Sequence, residues 1–245
     1  RYSPPFLDYI EAAATTTAPG EIAQALRGTT QWIAALGTPG GPVWPAGSAL
    51  LHEPVPVLAT VVLAAAGTLA LTRADLPHRR WLVLGALTGL ALVTAGHLGA
   101  VEGVLAGPVH TALDGPLAPL RNVHKFEPVL RLPLALGLAH VVGCALRASA
   151  RGVAGPAVRA IPAVIALAVL ATATPALDGR MAPSTSFPEL PGYWRETAAA
   201  LAAVAPQGRA LLVPGSSFGV YLWGSPADEP LQPLAGSPWT VRNAI

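Results

Sequence analysis

Hydrophobic residues are gathered into four long blocks that contain no charged residue. The blocks run over residues 55–72, 81–101, 132–146 and 160–177, and they hold 18, 21, 15 and 18 residues. At about 1.5 Å per residue, a helix of 18 to 21 residues is about 27–32 Å long, which is enough for the hydrocarbon core of a bilayer. Segments in lipid must be helical, because their backbone groups find no water there. The pattern therefore predicts an α-helical polytopic membrane protein with about four spans.

The third block is the shortest and leaves two interpretations open. If Val129 and Leu130 are added, the block covers 129–146 and is long enough to cross the bilayer. Without them it could instead form a re-entrant segment that enters and leaves on the same side. We place the spans at about 55–72, 81–101, 129–146 and 160–177.

Arginines mark the two short connections between the blocks. Arg73, Arg79 and Arg80 follow the first block, and Arg147 and Arg151 follow the third. Short cytoplasmic loops of membrane proteins carry an excess of Lys and Arg, so we predict that both connections face the cytoplasm.

This orientation places all the longer polar segments outside the cell. We expect residues 1–54 to be an external region with short helices, and residues 55–178 to be the transmembrane region with an external loop at 102–131. Residues 179–245 are predicted to begin an extracytoplasmic soluble domain of α/β or β-rich fold, with a helix at 191–205 and a strand at 209–213. A multi-pass protein of the plasma membrane with its functional loops outside is therefore expected.

The composition excludes several classes of protein. Only 11% of the residues are charged, against about 25% in a typical globular chain, and mean hydropathy is +0.51. The single cysteine, Cys144, excludes an internal disulfide and a cysteine-based zinc cluster. A net charge of +2 comes from few groups and gives no basis for nucleic-acid binding. Because the chain opens with Arg1 and its only methionine is Met181, we expect an internal piece of a longer protein.

The external loop 102–131 contains a group of cations just before the third span. Between Pro119 and Pro128 only about two helical turns fit, and on such a turn Arg121, His124 and Lys125 would share one face. Three clustered donors at this boundary could hold a phosphate or pyrophosphate. They could instead anchor to lipid headgroups, or pair structurally with nearby carboxylates.

Acidic residues of the external segments are candidates for contacts with a sugar or an acceptor. They are Asp8, Glu11, Asp114 and Glu127. Asp8 and Glu11 are three apart on a short predicted helix, where a carboxylate pair could do acid–base work or could simply favour the first turns through the helix dipole.

The histidines do not indicate a metal site. His110, His124 and Glu127 do not have the HExxH spacing, so we propose no metal, and we expect no cofactor. His140 lies inside the third span, where an ionisable residue is a functional hypothesis or makes a hydrogen bond between helices. Its partner cannot be named from the sequence.

Aromatic and planar polar residues recur near the end of the chain. Tyr221, Trp223 and Trp239 stand among acidic and amide side chains, which is typical of a sugar-binding surface but equally of a packed domain core.

Five stretches of the chain resemble one family. They read SPPFLDYIE (3–11), ALRGTTQW (25–32), HEPVPVLAT (52–60), LDGPLAPLRNVHKFEPVLRLPLALGLAH (113–140) and PGSSFGVYLWGSPADEPLQPLAGSPWTVRNAI (214–245). The chain resembles the actinobacterial α-(1→3)-arabinofuranosyltransferases, which are polytopic GT-C-type enzymes of cell-wall arabinan synthesis. We take the stretch 113–140 as the most specific, because agreement over 28 residues is implausible by chance.

The resemblance implies a GT-C-like fold and a glycosyltransferase activity. Arabinofuranose would be transferred from a polyprenyl-phosphate donor to arabinan at the outer face of the plasma membrane, so the expected partners are that donor, the arabinan acceptor and membrane lipid. In GT-C enzymes the catalytic acidic residue usually lies in the first external loop, which would precede this piece. The resemblance therefore implies no catalytic residue here, and it gives Arg121, His124 and Lys125 the role of a donor-phosphate patch.

Two other functions are compatible with the same spans. A transporter or flippase for a lipid-linked sugar would need broken helices and buried ions near the middle of the membrane. A non-catalytic scaffold would only anchor an external sugar-binding domain.

Overall fold

The computed structural model describes residues 12–38, 41–99, 105–181, 189–204, 208–215, 221–224, 226 and 229–243. Two of the predicted site residues, Asp8 and Glu11, lie outside these ranges. The chain divides into two compact units, of which the first comprises residues 1–37 and 42–181 and the second residues 38–41 and 182–245.

Short elements precede the long helices of the first unit. Helices α1 (Ala13–Thr17) and α2 (Ile22–Arg27) are followed by a 3-10 turn (Trp32–Ala35), the two-residue strands β1 (Gly37–Thr38) and β2 (Gly41–Pro42), and helix α3 (Pro45–His52). Among the described residues before α4, the helical segments are thus all short.

The remaining helices of the first unit include the apolar blocks. They are α4 (Pro54–Thr72), α5 (Arg79–Thr94), α6 (Ala106–Leu113), α7 (Glu127–Ala150) and α8 (Pro156–Leu177). Among the described residues, α4, α7 and α8 are long and apolar enough to cross a membrane. Large apolar side chains are exposed along the long helices, as is expected of surfaces that face lipid rather than water. These side chains include Leu58, Leu69, Leu84, Leu87, Leu132, Leu136, Leu167 and Leu170.

The predicted extent of the second span is wrong. Helix α5 has 16 residues and ends at Thr94, whereas the charge-free block continues to Val101. At about 1.5 Å per residue α5 is about 24 Å long, which is short for a hydrocarbon core of about 30 Å. Two contacts of Gly96 accompany the early end. A Cβ at Gly96 would lie 2.8 Å from the Thr17 methyl, and the Gly96 carbonyl oxygen lies 2.7 Å from the His110 ring.

The third block forms one continuous helix. Helix α7 has 24 residues, about 36 Å at the usual rise, and Pro133 lies inside it without ending it. By length and composition this helix could cross a membrane.

Close contacts at glycines hold the long helices together. A Cβ at Gly89 would lie 2.5 Å from the backbone nitrogen of Leu130, which brings α5 against α7, and one at Gly67 would lie 3.2 Å from the Leu134 Cβ, which brings α4 against α7. A Cβ at Gly137 would likewise lie 3.0 Å from the Ala70 Cβ, and one at Gly85 3.3 Å from Pro133 Cγ, so α4 and α7 run parallel and α5 runs antiparallel to both. The core between them is apolar. It contains Leu71, Leu76, Leu82, Ala86, Val93, Leu130 and Leu134.

The second unit mixes helices and strands. It contains α9 (Gly192–Val204), β3 (Ala210–Gly215), α10 (Leu231–Leu234) and β4 (Trp239–Asn243). Strands β3 and β4 pair in parallel, with Ala210 opposite Trp239 and Leu212 opposite Val241. The helix and the strand predicted for this part of the chain are both confirmed.

Candidate functional site

Polar side chains from two stretches of the chain meet where α5 ends and α7 begins. One stretch is residues 13–32 and the other is residues 110–131, and we name their shared polar group the loop cluster. Its members are Thr16, Thr17, Thr30, Gln31, Trp32, His110, Asp114, Arg121, Asn122, His124, Lys125, Glu127 and Arg131.

Arg121 is a buried part of the loop cluster. Only 5% of the residue is exposed, its Nε donates to the Leu113 carbonyl oxygen at 3.2 Å, and it lies 3.6 Å from Asp114 Oδ1. The Arg121 carbonyl oxygen accepts a hydrogen bond of 2.9 Å from the hydroxyl of Thr16, which is fully buried. Arg121 thus fixes the path of the loop. This agrees with the alternative in which these cations pair structurally with nearby carboxylates.

The three predicted phosphate-binding residues do not share one accessible face. Two separate 3-10 turns, Ala118–Leu120 and Val123–Phe126, replace the expected α-helical turns, and the chain changes direction between them. Whereas Arg121 is buried, His124 is half-buried with its Nε2 3.4 Å from Gln31 Nε2, and Lys125 is exposed. The shared face at i, i+3 and i+4 requires an α-helix, and the chain forms 3-10 turns here instead.

A partly buried ion pair that the sequence analysis missed lies at the start of α7. Glu127 Oε2 is 3.5 Å from Arg131 Nε, and Glu127 Oε1 accepts hydrogen bonds from the Thr30 hydroxyl and, at 3.3 Å, from its backbone N–H. Arg131 also donates to the Leu26 carbonyl oxygen at 2.6 Å. The i, i+4 spacing of opposite charges at the edge of the third block was the available signal.

The carboxylates predicted to contact a sugar are already engaged. Asp114 Oδ1 accepts a hydrogen bond of 2.9 Å from the backbone N–H of Ala13, and its side chain is 47% exposed. Glu127 is only 18% exposed. Of the two, Asp114 is the more accessible.

Hydrogen bonds join the two stretches that form the loop cluster. Trp32 Nε1 donates to Asn122 Oδ1 at 2.9 Å, and the Thr17 hydroxyl lies 2.9 Å from His110 Nε2. Helix α2 ends at Gly28, whose positive φ of 80° turns the chain toward these contacts. The 3-10 turn Trp32–Ala35 follows this change of direction and carries the Trp32 ring that meets Asn122.

A second polar group lies at the opposite end of the same helices. It consists of Arg73, Asp75, His140, Cys144 and Arg147, and we name it the connector cluster. Arg73 donates two hydrogen bonds to the Asp75 carboxylate, at 2.8 and 2.7 Å, and these bonds hold the pKa of Asp75 well below its usual range. Asp75 Oδ2 is 3.3 Å from His140 Nε2. The structure thereby names the partner of His140 that the sequence could not.

The aromatic residues of the second unit pack together. The rings of Tyr221 and Trp223 are stacked with centroids 5.1 Å apart, and Trp194 meets Tyr221 edge-on. The Tyr221 hydroxyl donates to Glu229 at 2.6 Å, and burial together with this carboxylate raises the Tyr221 pKa. These contacts favour the domain core over the sugar-binding surface.

Comparisons with known proteins agree on one family. The family model described as the N-terminal GT-C domain of α-(1→3)-arabinofuranosyltransferase matches residues 1–245. The α-(1→3)-arabinofuranosyltransferase of Mycobacterium tuberculosis is 42% identical over 257 residues and that of Mycolicibacterium smegmatis is 39% identical over 259 residues. These alignments cover 99% and 100% of this chain.

The fold is also similar to a solved structure. A cryo-EM structure of the arabinofuranosyltransferase AftD from mycobacteria aligns with a TM-score of 0.57 and 33% identity over 90% of this chain. The chain spans 18% of the length of both curated relatives and 13% of that solved chain.

Proposed function

Since the chain belongs to the family of the N-terminal GT-C domain of α-(1→3)-arabinofuranosyltransferases, we propose that it is part of a membrane glycosyltransferase. The enzyme transfers arabinofuranose from a polyprenyl-phosphate donor to cell-wall arabinan. The reaction takes place at the outer face of the plasma membrane.

The arrangement of the two clusters supports this orientation. The connector cluster and its neighbours contain the arginines of both short connections, which favours the cytoplasmic side. Helix α5 returns from there to the loop cluster, where a Cβ at Gly20 would lie 2.9 Å from the Val93 carbonyl oxygen. We therefore propose that α5, completed by residues 95–99, is a fourth crossing despite its length, and that the loop cluster is external.

The main support for a donor-phosphate site here is that Lys125 is exposed beside the half-buried His124. Both precede the first turn of α7, where the positive end of the helix dipole also favours an anion. A phosphate leaving group gains negative charge in the transition state, so cations fixed at this boundary would stabilise its departure. Arg121 contributes by holding the loop in place, and Asp114 is the carboxylate best exposed for an acceptor sugar.

A transfer assay with the full-length protein tests this proposal. We expect Lys125→Ala and His124→Ala each to lower kcat/KM for a lipid-linked arabinose donor by about tenfold or more, because a charge-assisted hydrogen bond contributes about 1.5–3 kcal/mol. Arg80→Ala removes an exposed cation at the opposite end of α5 and is the matched control. If all three variants keep the wild-type kcat/KM, Lys125 and His124 do not bind the donor phosphate.

The same assay separates the rival functions. A flippase would move the lipid-linked sugar without forming a glycosidic bond, and a scaffold would bind glycan without turnover. Helices α4, α7 and α8 each run without a break, whereas transporter sites are typically built on discontinuous helices.

A further inference from the structure

Three different metal-ligand side chains converge in the connector cluster. His140 and Cys144 are one turn apart on α7, and Asp75 comes from the connection between α4 and α5. Residues at i and i+4 on a helix are a frequent pair of metal ligands because their side chains lie over one another. The third ligand comes from a different part of the chain.

Distances between the ligand atoms fit a tetrahedral ion. Asp75 Oδ2 and His140 Nε2 are 3.3 Å apart, His140 Nε2 and Cys144 Sγ 3.5 Å, and Cys144 Sγ and Asp75 Oδ2 3.9 Å. Zinc bonds of about 2.0–2.1 Å to nitrogen and oxygen and about 2.3 Å to sulfur place tetrahedral neighbours about 3.3–3.6 Å apart. Two of the three distances match, and the third needs a shift of a few tenths of an ångström by Asp75, whose side chain is 51% exposed.

Arginines beside the cluster hold two of these side chains in place. Arg147 Nη2 donates a hydrogen bond of 3.2 Å to Cys144 Sγ. Arg73 holds Asp75 through both carboxylate oxygens and orients it toward His140. Hydrogen bonds of this kind commonly fix the ligands of a metal site.

From this geometry we propose that Asp75, His140 and Cys144 bind a borderline divalent transition-metal ion, with Zn²⁺ as the best match. One sulfur, one nitrogen and one oxygen ligand suit zinc rather than magnesium or calcium, which prefer oxygen ligands alone. Three protein ligands leave the fourth position to water. The ion joins the connection between α4 and α5 to α7 at the end of the helices that carries the arginines.

Metal content of the purified full-length protein tests the site. After removal of metal with a chelator and reloading with Zn²⁺, we expect Asp75→Asn, His140→Ala and Cys144→Ser each to bind one equivalent less per polypeptide than the wild type. His78→Asn is the control, because His78 is exposed in the same connection and asparagine tolerates its positive φ of 54°. If all four variants and the wild type hold equal zinc, the proposal is wrong.

A measurement on the wild-type protein covers the case in which a variant fails to fold. Zn²⁺ should slow maleimide labelling of Cys144 by about tenfold or more, and a chelator should restore the rate, because a coordinated thiolate is a poor nucleophile. Labelling is followed on the peptide that contains Cys144, so that cysteines elsewhere in the full-length protein do not interfere. If Zn²⁺ does not change the labelling rate of Cys144, the proposed metal site is wrong.

Discussion

The loop cluster and the connector cluster are built from the same kinds of residue but differ in their exposure to solvent. In the loop cluster the side chain of Arg121 is 6% exposed and that of Glu127 18%, and both are fixed by backbone groups. In the connector cluster Arg73 and Asp75 are 44% and 51% exposed, and their contacts are to other side chains. Burial therefore makes Arg121 and Glu127 part of the fold, whereas Arg73 and Asp75 are accessible to a ligand.

The difference has a clear energetic reason. Removing one partner of a buried, hydrogen-bonded charge leaves the other desolvated, which costs about 3–5 kcal/mol, whereas an exposed ion pair contributes about 0–1 kcal/mol. Substitution of the poorly exposed charges of the loop cluster, such as Glu127, should thus lower stability, whereas substitution of the exposed Asp75 should change ligand binding more than stability.

Glu127→Ala should give the largest loss of stability. It leaves Arg131 and the Thr30 hydroxyl without their shared carboxylate in a poorly solvated place, and we expect a loss of about 3 kcal/mol. Thermal unfolding in detergent measures the change. Glu21→Ala, at an exposed glutamate of the same unit, is the control and should unfold near the wild-type temperature. A similar loss in both variants would show that burial does not distinguish them.

Gly89→Ala should push α5 and α7 apart next to the loop cluster. The new Cβ would lie 2.5 Å from the Leu130 nitrogen and 2.9 Å from its Cα, so backbone must move, at a cost of about 2 kcal/mol. Gly107→Ala is the matched control because nothing lies within 4 Å of its Cβ position and alanine favours a helix. Equal unfolding temperatures for the two variants would contradict the close approach of α5 and α7.

Thr16→Val should have a smaller effect of about 1–2 kcal/mol. Valine keeps the shape of the side chain but lacks the hydroxyl, which in the wild type donates to the Arg121 carbonyl oxygen. Thr111→Val removes an exposed hydroxyl that donates within its own helix and should be nearly neutral. Unfolding by heat or denaturant compares the pair, and a neutral Thr16→Val would mean that the loop does not depend on this bond.

Asp75→Asn should change stability least, and its effect should depend on pH in a defined direction. The pKa of Asp75 is lowered in the folded protein, so the carboxylate stabilises the fold above its ordinary pKa of about 4, and this contribution is lost as the pH falls through the lower folded value. The small difference in unfolding temperature from the wild type should therefore persist at pH 5 to 8, as an approximate range, and disappear only in strong acid. A difference that disappears already near pH 6 would indicate another group.

The sequence predicted the long helices well because charge and hydropathy decide them locally. Arg73, Arg147 and Asp178 each follow an apolar block, and α4, α7 and α8 end at or near these residues. The extent of α5 was missed, because a count of charges does not detect that Gly96 is needed for a close approach to Thr17.

The polar clusters were harder to predict because they depend on tertiary contacts. The i, i+3 and i+4 spacing in the loop assumed an α-helix that the chain does not form, and Arg121 is buried by residues that precede it by about a hundred positions. Asp75 and Cys144 are 69 positions apart, and they meet only because α4 packs in parallel against α7.

Cysteine accessibility in intact cells tests most directly the claim that the two clusters lie on opposite sides of the membrane. Leu117→Cys and Val153→Cys place single thiols at exposed positions, 46% and 76% accessible, in the loop before Arg121 and in the connection after α7. In a full-length background without other cysteines, a membrane-impermeant maleimide should label the thiol at position 117 from outside and the thiol at position 153 only after lysis. Labelling of position 153 in intact cells, with position 117 protected, would contradict the account.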